Sequence, residues 1–389
     1  MNFRKYKANF EGDRAIWVIM FFLSIFSIVS VYSSSCNLAY KLQGGDTEYY
    51  LKRQILFLII GWVAAYFTHK LKPSVISGLS QLGIFVIIPA LLFTMIFGNE
   101  SRWIQVPILN SFQTSDPAKF ILIIFLARLI ANNQKTIKEF NTFVKLLIPI
   151  ALVCGFIFVG NFSTSALVFV SSVLLLFVGR TSIKHLLLLA GTVIIFLGIL
   201  WMAINAFPEV GRFGTWKKRI ETYTSSNTAE QSKDAQWQSN QAKMAVATGG
   251  WFGKTPGKST QRFFLPQAHN DFIYAIIIEE YGIFSGIFIL SLYLALLFRA
   301  IQISNKSKTN FRKLTVFGIS FMVSFQAMVN MGVSVGLLPV TGQTLPIISM
   351  GGTSVITILV SFGIIQAISR SNELELNTKK SEEFIEEES

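Results

Sequence analysis

Ionisable and reactive side chains are scarce in this sequence. Its 389 residues hold three histidines (His69, His185, His269) and two cysteines (Cys36, Cys154). None stands at the spacing of a zinc site, and two cysteines cannot build a disulfide scaffold. Only 14% of residues are charged, too few for the surface of a water-soluble domain of this size. Acidic residues are outnumbered 21 to 34, a net charge of +13. In a soluble chain that excess would point to nucleic acid. In one this apolar it reports loop topology first, and no nucleic-acid partner is expected.

What fills the sequence instead is hydrophobic: 52% of residues, with a mean hydropathy of +0.52. Runs such as 16–31, 186–207 and 272–298 are each long enough, at ~1.5 Å per residue, to cross most of a ~30 Å hydrocarbon core. The first is too long for a secretory signal, and more runs follow it. The pattern predicts an all-α polytopic membrane protein with about ten transmembrane helices. They are expected near 16–34, 53–69, 75–97, 117–132, 144–160, 162–179, 185–206, 271–298, 314–336 and 345–369.

Residues 1–15 then form a cytoplasmic N-terminal segment, 16–371 the transmembrane domain, and 207–270 a large extracytoplasmic loop between the seventh and eighth spans. Placing Arg4, Lys5, Lys7 and Arg14 inside also puts Lys70, Lys72, Lys135, Lys138, Arg180 and Lys184 in cytoplasmic turns, with Arg299, Lys306, Lys308, Arg312 and Lys313. Residues 372–389 are polar and acidic and read as a disordered cytoplasmic tail. No internal repeat supports a transporter built from inverted halves.

Polar groups at span boundaries are where chemistry can sit, because burying them is costly unless they have a partner or a task. One cluster runs from Arg102 and Trp103 to Gln113, Thr114, Ser115, Asp116 and Lys119. Asp116 and Lys119 are three apart and share a helix face, which also fits a capped helix with an intrahelical ion pair. A second cluster, His269, Asn270 and Asp271, opens the eighth span, with Glu279 and Glu280 further along. On a continuous helix Glu280 points roughly 180° away from Asp271, so a different partner is expected for it. A third is the basic set Arg212, Lys217, Lys218, Arg219, Lys254, Lys258 and Arg262, either a solvated surface or a grip on pyrophosphate and lipid head groups. The fourth, residues 336–354, is so dense in glycine and proline that irregular backbone is expected, which at membrane depth must face protein or a water-filled cavity. Gly332-x-Ser334-x-Gly336 lies in a span rather than a strand-to-helix turn, and the Gly-Lys-Thr and Gly-Lys-Ser pieces at 253–259 lack the first glycine of a P-loop.

Together these stretches closely resemble the SEDS family (shape, elongation, division and sporulation), over nearly the whole chain. The resemblance rests on Val31 to Ser35, Arg102-Trp103-Ile104, Gln113 to Asp116 with Lys119, His269 to Ala275, Glu279 to Gly282, Gly336 to Pro339, and Leu345 to Ser354. It implies a ten-span protein of the cytoplasmic (inner) membrane, both termini inside, that polymerises lipid II into glycan strands on the outer face. Lipid II is an undecaprenyl-pyrophosphate-linked disaccharide peptide. The implied partners are a class B penicillin-binding protein that cross-links the strands, other divisome proteins and membrane lipids.

Asp271 matches the family's essential aspartate and is expected to be catalytic. Asp116 and Lys119 match its Glu and Lys, and with Arg102, His269, Glu280, Lys258 and Arg262 they make the expected substrate-binding set. No organic cofactor and no protein metal ligand is expected, and a divalent cation (Mg or Mn) is left open. The chain departs from the family pattern at Thr114 and Asp116, at Asn161 where the family has a carboxylate, at Asn270 and at Met350. The stretches 257–261, 265–269 and 343–346 are similar to the division branch and 340–342 to the elongation branch. Division, at the septum, is the expected role. A lipid II flippase and a non-catalytic scaffold for a penicillin-binding protein are the alternatives from other classes.

Overall fold

The computed structural model describes residues 11–42, 44–98, 103–106, 110–207, 214, 233–265 and 268–388. Arg102, Arg212, Lys217, Lys218 and Arg219 of the sequence reading lie outside the described residues.

Apolar runs commit the chain to helices, because in hydrocarbon each segment must satisfy its own backbone polar groups. In chain order the elements are α1 (Arg14–Ser34), the short α2 (Cys36–Leu42), α3 (Thr47–Thr68), α4 (Pro73–Phe97), strands β1 (Trp103–Val106) and β2 (Asn110–Gln113), α5 (Ser115–Asn132), α6 (Phe140–Gly160) and α7 (Phe162–Val178). Then follow α8 (Ile183–Ala206), α9 (Lys233–Gly249), α10 (Ile273–Lys306), α11 (Asn310–Ser334) and α12 (Gly352–Glu388). Eight of them, α1, α3, α4, α6, α8, α10, α11 and α12, are long and apolar enough to cross a membrane. The two remaining expected spans fall on α5, which carries Asp116, Lys119 and Arg128, and on the 17-residue α7. The chain is a multi-pass membrane protein.

Local polar groups set the helix starts. The Asp13 carboxylate accepts from the amides of Ala15 and Ile16 at 2.9 and 3.2 Å, Asn161 accepts from the Thr164 amide at 3.2 Å, and Pro73 occupies the first turn of α4. Between helices the links are small hydroxyls and amides. Gln54 Nε2 donates to Ser27 Oγ at 2.7 Å and Trp62 Nε1 to Ser24 Oγ at 3.0 Å, joining α3 to α1. At one end of the bundle Asp13 pairs with Arg299 of α10 and exchanges two 2.8 Å hydrogen bonds with Gln366 of α12. At the other end Ser33 of α1 donates to Glu280. Large side chains such as Phe85, Leu187 and Ile194 remain exposed around the outside, where lipid covers them.

Three features differ from the sequence reading. The eighth span is not continuous: α10 breaks at Gly282 (φ 79°, ψ 175°), a conformation suited to glycine. A Cβ there would meet the Trp251 carbonyl oxygen at 2.1 Å. Between α4 and α5 the described residues 103–106 and 110–113 form a strand pair rather than plain loop, with Trp103 opposite Gln113. Residues 372–388 are helical rather than disordered, as the end of α12. No glycine or proline follows Gly363 there, and Leu, Glu and Lys favour helix. Asn372 donates to Ser307 Oγ at 2.8 Å, while Glu375 pairs with Arg312 at 2.6 Å and Lys308 at 3.1 Å.

Candidate active site

Residues 336–351 form no regular element, and their backbone is satisfied by side chains instead. Gln326 Nε2 donates to the Thr344 carbonyl at 2.9 Å, Asn330 Nδ2 to the Gln343 carbonyl at 2.6 Å, and Tyr293 Oη to the Pro346 carbonyl at 2.5 Å. Ser349 Oγ donates to the Asn270 carbonyl at 2.8 Å, and the Met350 amide to the His269 carbonyl at 3.0 Å. These bonds sew the irregular segment to residues 269–271, just ahead of α10. Asn330 Nδ2 also donates to the Asp271 carbonyl at 2.9 Å, so one amide fixes the backbone on both sides of the Asp271 carboxylate. Gly342, at φ +70°, leaves room there: a Cβ would stand 3.7 Å from Asp271 Oδ2.

The Asp271 side chain lines a cavity of about 660 Å³. Opposite walls come from Tyr50, Arg53 and Gln54 of α3, Asp116 and Lys119 of α5, and Asn161 and Thr164 at the start of α7. Trp103, Gln113, Gln326 and residues 342–344 and 350–354 complete most of it. Lys119 is 2% exposed, and its ammonium lies 3.1 Å from Asp116 Oδ1 and 2.9 Å from Gln326 Oε1. Burial of this pair is affordable because both the carboxylate and the amide face the ammonium. Arg53 packs its guanidinium 5.5 Å from the Phe57 ring centroid. The N-terminal ends of α5, α7, α10 and α12 all meet at the cavity. The lining sets two cations, Arg53 and Lys119, against two carboxylates, Asp271 and the Lys119-paired Asp116, so what favours an anion is the set of helix N-termini with Arg53 beside them.

Of the residues expected from sequence, Asp271, Asp116 and Lys119 line this one cavity, Glu280, Arg262, Lys258 and His269 do not, and Arg102 lies outside the described residues. Glu280 is 1% exposed and belongs to another cluster, where Ser33 Oγ and the Ser259 amide donate to it and Arg262 stands 3.9 Å away. Arg262 Nη1 also donates to Ser33 Oγ at 2.9 Å, and neither residue lines the cavity. Lys258 sits exposed in a turn away from it. The buried His269 ring lies behind the lining, and burial pushes its pKa down to about 4, so it carries no charge for an anion near neutral pH. Arg53, Gln326 and Asn330 are what sequence reasoning missed. The available signal was a strongly polar side chain within an apolar span, with Gln326 and Asn330 four apart on one face of α11. Among the described residues no group of three or more His, Cys, Asp or Glu is placed to hold a metal ion. No step below passes through a metal ion.

The FtsW/RodA/SpoVE family model, described as cell cycle protein, matches residues 13–374. Over 371 residues the chain is 30% identical to the probable peptidoglycan glycosyltransferase FtsW of Bacillus subtilis, covering 92% of this chain and 90% of that one. Over 369 residues it is 32% identical to stage V sporulation protein E of the same organism, covering 92% and 97%. The fold is similar to that of a chain from a peptidoglycan synthase complex coordinating polymerization and crosslinking, with a TM-score of 0.74 at 21% identity over 93% of this chain and 98% of that one. With its irregular, cavity-lining segment and the carboxylate beside it, the chain belongs to the FtsW/RodA/SpoVE family, the SEDS family.

Proposed function

We propose that this chain is a peptidoglycan glycosyltransferase of the FtsW type, which polymerises lipid II into glycan strands at the division septum. The observation that carries this reading is the pairing, in one cavity, of the Asp271 carboxylate with an anion-favouring wall made of Arg53 and four helix N-termini. The acceptor sugar's 4-hydroxyl attacks the anomeric carbon of the lipid-linked donor. A new C–O bond forms as the C–O bond to pyrophosphate breaks, with inversion. Asp271 takes the hydroxyl proton, a role that contributes ~10²–10⁴-fold. Lys119, Arg53 and the helix dipoles stabilise the departing lipid pyrophosphate, and such charge stabilisation is often the larger contribution.

Basic residues support placing the cavity on the outer face. Arg14, Arg299, Arg312 and Arg370 gather at the opposite end of the bundle with Glu11, Asp13 and Glu375, and an arginine-rich end is the one retained in the cytoplasm. The FtsW-named relatives favour the division branch over the elongation one. The partner expected from the synthase-complex fold is a class B penicillin-binding transpeptidase.

The test is polymer formation from radiolabelled lipid II by the purified chain in lipid vesicles with that transpeptidase, its cross-linking serine replaced. Strands that muramidase digests to disaccharide units support the proposal. Translocation of lipid II with no strands would replace it by the flippase reading, and neither activity by the scaffold.

A further inference from the structure

Below its break at Gly282, α10 runs over 283–306, about 24 residues or ~36 Å, which alone crosses a hydrocarbon core of ~30 Å. Arg299, which pairs with Asp13, marks the far boundary. Phe284 lies about 15 residues, or ~22 Å, short of it and therefore still within the bilayer on the cavity side. Two residues assigned by sequence to the extracytoplasmic loop reach that depth. The rings of Trp251 and Phe252 each lie 5.6 Å from the Phe284 ring, yet they are 65% and 84% exposed.

The depth of this turn is fixed by backbone. The Ile283 amide donates to the Gly250 carbonyl at 2.9 Å, and the amides of Lys254 and Thr255 donate to the carbonyls of Glu279 and Glu280 at 2.9 and 3.0 Å. A Cβ on Gly249 or Gly253 would meet α10 backbone oxygens at 2.2 and 2.3 Å, so the two segments touch without side chains between them. The polar side of the same loop is turned inward. Glu279 accepts from Lys254 Nζ at 2.7 Å, Ser259 Oγ at 2.5 Å and the Thr260 amide at 3.2 Å. The outer side is apolar and continues the exposed Phe284, Ile287 and Phe288 face of α10, while Lys258 stands exposed in the following turn, its amide donating to the Thr255 carbonyl at 3.2 Å.

We propose that the 250–253 turn is seated in the phospholipid leaflet on the cavity side, with Trp251 and Phe252 among the upper acyl chains. Residues 249–264 are then a membrane-anchored clamp on 273–281, the half-helix that follows Asp271. Aromatic rings are suited to this depth because they bury apolar area near the head groups. Lipid rather than protein is the occupant because the rings extend a surface that already faces acyl chains.

The test uses the full chain in vesicles of phosphatidylethanolamine and phosphatidylglycerol. With Cys36 and Cys154 replaced by serine, a nitroxide is placed at Phe252→Cys, Ile287→Cys or Lys258→Cys, and its collisions with oxygen and with a water-soluble nickel chelate are measured. The expected oxygen-to-nickel ratio at 252 matches that at 287 and exceeds that at 258 several-fold. A ratio like that at 258 overturns the proposal, as does shielding from both reagents, which would mean a protein covers the turn. If the labelled variant fails to fold, quenching by lipids brominated on the upper acyl chain decides. Unlabelled protein must lose more fluorescence than Trp251→Phe, and equal losses overturn the proposal.

Discussion

The amide nitrogen of Asn330 donates to the backbone carbonyl of Asp271 at 2.9 Å, from a residue 59 positions further along the chain. It donates equally to Gln343 at 2.6 Å, so a single α11 side chain holds the proposed base and the irregular segment facing it in one geometry. Asn330→Leu removes both bonds while keeping the branched heavy-atom shape. Leaving the buried Gln343 carbonyl without this donor costs about 1–3 kcal/mol, while Ser334 Oγ still reaches the Asp271 carbonyl at 3.4 Å. The expected result is a fall in kcat of ~10–100-fold with a smaller change in KM, read from initial polymerisation rates over a range of lipid II concentrations. An unchanged kcat would show that Asp271 is held by other contacts.

Lys119 is tied to Asp116 and Gln326 inside the bundle, so its removal strands a carboxylate. Breaking a buried pair from one side costs about 3–5 kcal/mol. Lys119→Met is expected to lower the thermal unfolding temperature and abolish polymer. The double variant Lys119→Met with Asp116→Leu is expected to recover most of the stability and none of the activity. Recovery of both would make the pair purely structural.

These two contacts show where sequence reading reached and where it stopped. Asp116, Lys119 and Asp271 stood out because charge inside or beside an apolar run needs an explanation, and the spans themselves followed from run length. Asn330 and Gln326 did not, because both donate to backbone carbonyls of a segment with no period from which a register could be inferred. The break at Gly282 was hidden for a related reason: an isolated glycine is common in membrane helices, and only the carbonyls of 249–253 across from it reveal why it is there. Glu280 looked intramembrane on a continuous helix. With α10 broken after it, its partners are Ser33, Ser259 and Arg262.

Gly282→Ala is expected to be among the most damaging single-methyl changes in the chain. It combines a left-handed φ of 79° with a contact of 2.1 Å to the Trp251 carbonyl. Strained backbone of this kind costs on the order of 1–3 kcal/mol before any clash. Thermal unfolding in detergent should show a clear loss of stability, whereas Gly155→Ala, where a Cβ meets nothing within 4 Å, should be near neutral.

Burial holds His269 at about 4, below the usual imidazole value of 6.5. The unfolded chain therefore binds a proton that the folded chain refuses between those values. Stability is fully present above about pH 6.5 and is lost as pH falls toward 4, by roughly 1.4 kcal/mol per unit at most. His269→Gln should flatten this acid limb in unfolding temperatures measured between pH 7 and 4. An unchanged limb would mean that other groups carry it.

The central claim is that Asp271 performs the proton transfer of glycan polymerisation. The most direct measurement is lipid II binding and polymerisation by Asp271→Asn beside wild type, in the same vesicles and with the same transpeptidase partner. The account predicts that the Asn variant folds, binds lipid II with similar affinity and makes no strands. Strands formed by both at equal rates would contradict it.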